Sequence, residues 1–245
     1  MVKWKEQFKV WQDVFDRFTL NNIKVLINKG VFEELKGSIA VGKESNVFYA
    51  INNKKEIVVV KIYRLQTADF NRMYFYIRND PRFDGLTNKR RKVIFAWCQR
   101  EFRNLINAER AGVRAPKPLA FYKNILVMEF IGDEQPAPKI KDVLPGGNRL
   151  KEFADKVFEY VERFAVFGFV HGDLSEFNIL NYNGEPVFID LSHATPTRNP
   201  DSLDYLRRDI NNMTRFFNKV LNKKVYDAEL IFDDIVKKIP VEKLP

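Results

Sequence analysis

The chain has 245 residues and a net charge of +9, and it is 45% hydrophobic and 14% aromatic, which excludes global disorder and leaves room for one large domain or two lobes. One cysteine, Cys98, and two histidines exclude an internal disulfide, a cysteine zinc cluster and a histidine-rich metal centre. No apolar run reaches the roughly 18 residues of a spanning helix, and residues 1–9 carry no apolar signal core, so a soluble, cytoplasmic, reduced protein with no membrane partner is expected.

Residues 4–35 read as helical, with Phe8, Trp11, Val14, Phe15 and Phe18 at mostly three- and four-residue steps. Residues 36–49 and 57–63 read as strands. The second holds the β-branched run Val58-Val59-Val60 followed by Lys61, the pattern of a buried strand. Asn52-Asn53 supplies the turn between them. Residues 66–91 are polar and charged and read as a long loop, with turn signals at Asn79-Asp80-Pro81 and Asp84-Gly85. Residues 93–111 read as a helix closed by Gly112, and residues 120–130 as a hairpin around Lys123-Asn124. A segment rich in Pro and Gly, residues 131–148, marks a lobe boundary. Beyond it, residues 149–167 form a clear amphipathic pattern closed by Gly168. Phe188-Ile189-Asp190 reads as a short strand ending in an acid, and residues 201–221 and 227–239 as closing helices.

The positive charge is local. Between Lys61 and Lys117 there are fourteen basic and five acidic residues, an excess equal to the whole net charge, and Lys89-Arg90-Arg91-Lys92 is an unbroken basic run. A charge run is usually a solvated face. One this concentrated favours a polyanion nearby, either nucleotide phosphate or RNA.

The strongest chemical signal is His171-Gly172-Asp173-Leu174-Ser175-Glu176-Phe177-Asn178, followed by Asp190 after Val187-Phe188-Ile189. Alone, Asp173 or Asn178 would read as a turn cap. With Asp190 they make an oxygen-only site of the kind Mg²⁺ prefers, in which Asn178 and Asp190 share the metal and Asp173 orients a hydroxyl or water. The second signal is Lys61 at the end of an apolar strand, where a charge needs a counter-ion or a phosphate; a lysine snorkelling from a strand end is the plainer account. Glu101, on the next predicted helix, is the natural partner. The third is Gly37-Ser38-Ile39-Ala40-Val41-Gly42-Lys43-Glu44-Ser45. It nearly matches the phosphate-binding loop of nucleotide hydrolases, but Glu44 stands where that loop needs a hydroxyl, and the chain continues as a strand. A strand–turn–strand lid over phosphates fits better.

These parts follow the protein-kinase order. More narrowly, Gly42-Lys43-Glu44-Ser45-Asn46-Val47, Val60-Lys61-Ile62-Tyr63-Arg64, Arg100-Glu101-Phe102-Arg103-Asn104-Leu105, Val127-Met128-Glu129-Phe130-Ile131-Gly132, residues 171–180 and residues 188–192 resemble the RIO family of atypical serine kinases. The resemblance is to its first subfamily, in its archaeal form. It implies an α+β, two-lobed, kinase-like fold: a helical segment over residues 1–36, a β-rich lobe over 37–130 with a flexible basic insert at 66–92, and a truncated α-rich lobe over 131–245 without activation segment or peptide platform. It implies ATP with Mg²⁺, or Mn²⁺ in its place, as cofactors. ATP would meet Val41, Gly42, Lys43, Glu44, Ser45 and Val47 in the turn. Lys61 would hold its α/β-phosphates and pair with Glu101. Met128 would back the adenine, and Glu129 and Ile131 would offer backbone groups to its edge. Asp173 would be the catalytic acid–base, Asn178 and Asp190 the metal ligands, and Ser175 would stand where ordinary kinases place a lysine on the γ-phosphate. Asp190 would also accept the phosphoryl group, which makes the enzyme ATPase-like. The family's work in small ribosomal subunit maturation implies pre-ribosomal particles and ribosomal RNA as partners and leaves the protein substrate open. Two other readings stand beside this one. One is a small-molecule kinase of the aminoglycoside or choline type, which shares the His-Gly-Asp motif. The other is a non-catalytic assembly factor that senses ATP and binds RNA.

Overall fold

The computed structural model describes residues 15–146 and 149–245. Helix α1 (Arg17–Asn28) starts on Asp16, whose carboxylate accepts the Thr19 N–H. The predicted amphipathic positions Phe8, Trp11 and Val14 lie outside the described residues. The helix does not run to Leu35, as the sequence suggested: Gly30, at φ 72°, turns the chain, and Leu35 belongs to the first strand.

Five antiparallel strands follow in the spatial order β1-β2-β3-β5-β4: β1 (Glu34–Val41), β2 (Ser45–Ile51), β3 (Ile57–Tyr63), β4 (Pro118–Tyr122) and β5 (Ile125–Glu129). The strand-like stretch over 36–49 is two strands split, as the strand–turn–strand reading expected, by a tight turn in which the Gly42 N–H bonds the Ser45 carbonyl (2.9 Å). Strand β3 is central, and its continuous apolar run has a simple cause: both faces are covered. Val58, Val60 and Ile62 pack with α1 through Leu20, Ile23 and Leu26. Val59 and Tyr63 join the second, larger core on the other face. Side chains alternate along a strand, so Lys61 must share the face of Val59 and Tyr63.

That face meets α3 (Arg90–Arg110), which begins three residues before the expected start. The insert at 66–92 is not a loop throughout. It folds as helix α2 (Phe70–Ile77), capped by Asp69, and a 3₁₀ turn (Pro81–Phe83) capped by Asp80. Met73, Ile77 and Phe83 are buried against α3, and this packing outweighs the polar composition on which the loop reading rested.

The segment after β5 carries no helix or strand as far as residue 146, apart from isolated bridges. The second lobe then packs α4 (Arg149–Phe167), α5 (Ser202–Val220) and α6 (Ala228–Lys238) around one core. Its short pairs are β6 (Phe169–Val170) with β9 (Thr195–Pro196), and β7 (Ile179–Tyr182) with β8 (Glu185–Phe188). The α+β, two-lobed expectation holds. Among the described residues no helix is long and apolar enough to cross a membrane.

Candidate active site

Lys61 lies on β3 opposite Val47 of β2 and Leu126 of β5, with its ammonium turned toward α3. Its Nζ donates to Glu101 Oε1 at 2.8 Å and to Asp190 Oδ1 at 2.9 Å. The sequence placed these three residues 40 and 129 positions apart; the fold makes them one cluster. Burial alone would lower the Lys61 pKa, but the Asp190 and Glu101 carboxylates outweigh it and raise it, so the ammonium stays charged. Glu101 is pushed up by burial, against the pull of Lys61. Its second oxygen accepts the hydroxyl of Tyr63, two residues along β3 from Lys61 and therefore on the same face.

Tyr63 did not stand out in the sequence, yet it completes the satisfaction of a fully buried carboxylate. Tyr63→Phe is expected to lose about 1–3 kcal/mol of stability, the cost of one unpaired buried oxygen. Urea unfolding at neutral pH measures it, and an unchanged midpoint and slope would show the hydroxyl to be idle.

Asp190 is not in a strand. Strand β8 ends at Phe188, and Asp190 takes a left-handed conformation (φ 58°, ψ 58°) as the cap of a 3₁₀ turn over Leu191–His193. Its side chain remains 42% exposed. Desolvation would raise its pKa, but Lys61 and His193 and the hydrogen bonds from Lys61 and Ser192 hold the carboxyl well below the usual range. The turn that carries it is gripped from α3. Asn104 Nδ2 donates to the carbonyls of Leu191 (2.8 Å) and Ala194 (2.7 Å), and the Arg100 guanidinium to those of Ser192 (3.1 Å) and His193 (3.4 Å). Trp97, Arg100, Glu101 and Asn104 fall at helical spacing on one face of α3, so one helix face sets both Lys61 and the Asp190 turn. Arg100 is held in turn by Asp80 (3.1 Å), and Asp80 by Arg82, whose Nη1 reaches Asn104 Oδ1 (2.8 Å).

Asp173 and Asn178 occupy the loop between β6 and β7. Asn178 Nδ2 donates to the Asp173 carbonyl (2.8 Å) and to its Oδ2 (3.3 Å), and the Asn178 carbonyl accepts the Ile189 N–H (3.0 Å), next to Asp190. Asp173 is half-buried, and desolvation and the nearby Asp190 raise its pKa. The loop is anchored from α5. Asp209, fully buried, accepts the N–H groups of Gly172 (2.7 Å) and Leu174 (2.8 Å). Gly172 sits at φ 78°, and a Cβ there would stand 3.0 Å from the His193 carbonyl, so only glycine lets the loop approach the Asp190 turn. Asp209 was not singled out from the sequence. Its signal is an acid within the apolar stripe Leu206, Ile210, Met213, Phe217.

Burial raises the Asp209 carboxyl to about 7, against an ordinary 3.8. A raised carboxyl contributes stability that is full below about pH 4 and is lost as pH rises through about 7. The gap in thermal midpoint between wild type and Asp209→Asn is therefore expected to narrow from pH 4.5 to pH 7.5. A gap that stays constant would show the carboxyl to be unshifted.

The remaining expected ATP contacts lie on the β1–β2 turn, on β2, at the end of β5 and after it, and in the loop between β6 and β7. Val41, Gly42 and Lys43 are exposed in the β1–β2 turn, and Ser45 and Val47 are half-exposed on β2. Glu44 feels both Asp190 and Lys61; burial, then Asp190, raises its pKa. The turn is fixed to the end of β3 by the bond from the Arg64 N–H to the Glu44 carbonyl (2.9 Å). Met128 is buried beside Val59. The Glu129 carboxylate takes both Arg114 Nη1 (2.8 Å) and Nη2 (2.7 Å). The Ile131 carbonyl already accepts the Ala137 N–H (2.9 Å). Ser175 is half-exposed, and its carbonyl accepts the Asn178 N–H (2.9 Å).

The donor set suits a hard cation. The described side-chain bonds of Asn178 use its Nδ2, so what it and Asp190 can offer a metal is an amide oxygen and a carboxylate, with no nitrogen or sulfur. Among the described residues no three His, Cys, Asp or Glu side chains form a self-contained metal cage. Such a pair fits Mg²⁺ held jointly with substrate phosphates and water.

Comparison with known proteins places the chain in a family. The RIO domain family matches residues 46–230. The RIO-type serine/threonine-protein kinase Rio1 of Haloferax volcanii is 41% identical over 220 residues, covering 89% of this chain and 75% of that protein. Rio1 of Methanocaldococcus jannaschii is 40% identical, covering 89% and 74%. Rio1 of Schizosaccharomyces pombe is 34% identical over 99% of this chain, which spans 50% of that longer protein. Among solved structures, the Rio2 kinase of Chaetomium thermophilum, crystallised as an ADP/Mg²⁺-phosphoaspartate complex, superposes with a TM-score of 0.71 at 22% identity, covering 90% of this chain and 66% of that one; at this identity the likeness speaks for the kinase-like fold. The chain belongs to the RIO family of atypical serine/threonine-protein kinases, in its Rio1-like branch.

Proposed function

We propose that this chain binds ATP with Mg²⁺ in the cleft between the sheet and the helical lobe, and transfers the γ-phosphoryl group to Asp190 before water releases it. The observation that carries the reading is the pair of hydrogen bonds that Lys61 donates, one to Glu101 and one to Asp190. A buried ammonium shared between a helix carboxylate and a second, cleft-facing carboxylate is a phosphate seat whose second ligand phosphate can replace. Lys61 then binds and orients the phosphates. Asn178 and Asp190 would hold Mg²⁺, which supplies neutralisation of the charge on the phosphates. Asp173 orients the water or hydroxyl that receives the phosphoryl group. Asp190 is ionised and exposed enough to act as a nucleophile, and the phosphoaspartate of the Chaetomium Rio2 structure is the same chemistry in a protein of the same fold.

The working context we infer is maturation of the small ribosomal subunit in the cytoplasm, with ribosomal RNA at the basic stretch between Lys61 and Lys117. The support is the concentration of charge there, with Lys89, Arg90, Arg91 and Lys92 all exposed. A serine of a protein partner is a further acceptor for the same phosphoryl group.

A single-turnover reaction with γ-labelled ATP and Mg²⁺ tests the core of this reading. Label in a hydroxylamine-labile protein bond, followed by free phosphate, is the expected result. Label on added aminoglycoside or choline, or bound ATP that is never cleaved, would overturn it.

A further inference from the structure

The two oxygens of Asp190 are not equivalent. Oδ1 accepts both Lys61 Nζ (2.9 Å) and the Ser192 hydroxyl (2.8 Å). The described hydrogen bonds and ion pairs of this carboxylate all fall on that oxygen, and the side chain is still 42% exposed. We propose that Ser192 is a positioning residue for phosphoryl transfer: it holds Oδ1, so that Oδ2 is the oxygen presented to the γ-phosphorus. The inference rests on the reading of Asp190 as phosphoryl acceptor.

Ser192 is well placed to do this independently of nucleotide. The Lys61 bond must loosen when phosphates arrive, because the ammonium then has a new anionic partner. The Ser192 bond spans only two residues, and Ser192 itself is 2% exposed. Its carbonyl is fixed by Arg100 Nη1 (3.1 Å), and its hydroxyl has His193 Nδ1 at 3.4 Å on the other side. His193 is wedged edge-on between Tyr76 and Trp97, with ring centroids 4.9 and 5.1 Å away. The hydroxyl therefore has little freedom, and neither has the carboxylate that it holds. In the transfer step an Oδ2 lone pair forms the Oδ2–P bond. The bond from phosphorus to the β–γ bridging oxygen breaks, and ADP leaves with that electron pair; no proton need move. Without the hydroxyl the carboxylate can rotate about its Cβ–Cγ bond, and the attacking atom is no longer aligned.

The test uses the full chain, γ-labelled ATP and Mg²⁺. The single-turnover rate of hydroxylamine-labile labelling is compared with ATP affinity and thermal midpoint for wild type and Ser192→Ala, a smaller side chain that the site accommodates. The expected result is labelling about tenfold slower, with ATP affinity within twofold of wild type. Labelling at the wild-type rate overturns the proposal. So does a parallel fall in labelling and ATP affinity, which would mean that Ser192 merely holds the cleft together. Wild-type protein that acquires no hydroxylamine-labile label overturns the acceptor reading itself and this proposal with it, an outcome distinct from a labelled wild type with an unaffected variant.

Discussion

Asp173→Ala is expected to abolish steady-state turnover, by roughly 10²–10⁴-fold, the usual span for loss of a positioned acid–base group, while ATP binding stays close to wild type. The structure gives the reason for the split. Asn178 is held by two bonds to Asp173, and the shorter, at 2.8 Å, goes to the backbone carbonyl, which alanine retains. The oxygen ligands and Lys61 therefore keep their places. What is lost is a half-buried carboxylate whose pKa is raised by desolvation and by Asp190, the group to which the proposed mechanism gives the orienting of water at the end of the cycle. The label should reach Asp190 and remain there. Multiple-turnover phosphate release and hydroxylamine-labile label measure the two halves of this expectation. Turnover that survives in the variant would remove Asp173 from the mechanism.

Asp80→Ala is expected to be the most destabilising of the substitutions considered, by about 3–5 kcal/mol, the usual result of removing one partner from a buried ion pair. Arg100 is fully buried, and Asp80 is its carboxylate partner. Without it a charged guanidinium remains in an apolar setting that already lowers its pKa to about 10. The damage should not stop at stability. Arg100 and Asn104 together bind the four successive carbonyls of residues 191–194, so the turn bearing Asp190 should loosen and phosphoryl transfer should fall with it. Burial opposes but does not overcome the arginines, which hold the Asp80 pKa below its ordinary value. The stability it contributes is thus present above about pH 4 and lost as pH falls further. Urea unfolding at pH 7 checks the magnitude, and a loss below 1 kcal/mol would show Arg100 to be compensated elsewhere.

Local pattern made much of this structure legible. Helix α4 runs over Arg149–Phe167, the predicted span, because its apolar stripe and the following glycine are both local signals. The Lys61–Glu101 pair followed from a charge at the end of a buried strand. The insert was misread because its charges mask a short stripe, Met73 and Ile77 with Phe83 beyond, that becomes apolar surface only once α3 lies beneath it. The supporting roles of Tyr63, Asp80, Arg100, Asn104, Ser192 and Asp209 were not legible in the sequence for a related reason, although all but Asp209 lie in stretches that a motif or a turn signal marked. Most are polar side chains whose partners are distant in sequence, 38 residues for Tyr63 and 87 and 90 for Asn104, and no periodicity encodes such contacts. Asp190 was found, but its backbone was not, since a strand-like triplet gives no warning of a left-handed residue at its end.

That left-handed residue bears on how the proposed acceptor should be disabled. Among side chains with a Cβ, aspartate and asparagine tolerate this region best, because their short polar groups bond locally to the backbone. Alanine at 190 would delete the carboxylate and strain the turn at once, and a dead enzyme could not be credited to either. Asp190→Asn keeps the bend while it removes the negative charge and replaces one carboxylate oxygen by an amide nitrogen, so it is the cleaner probe of the chemistry.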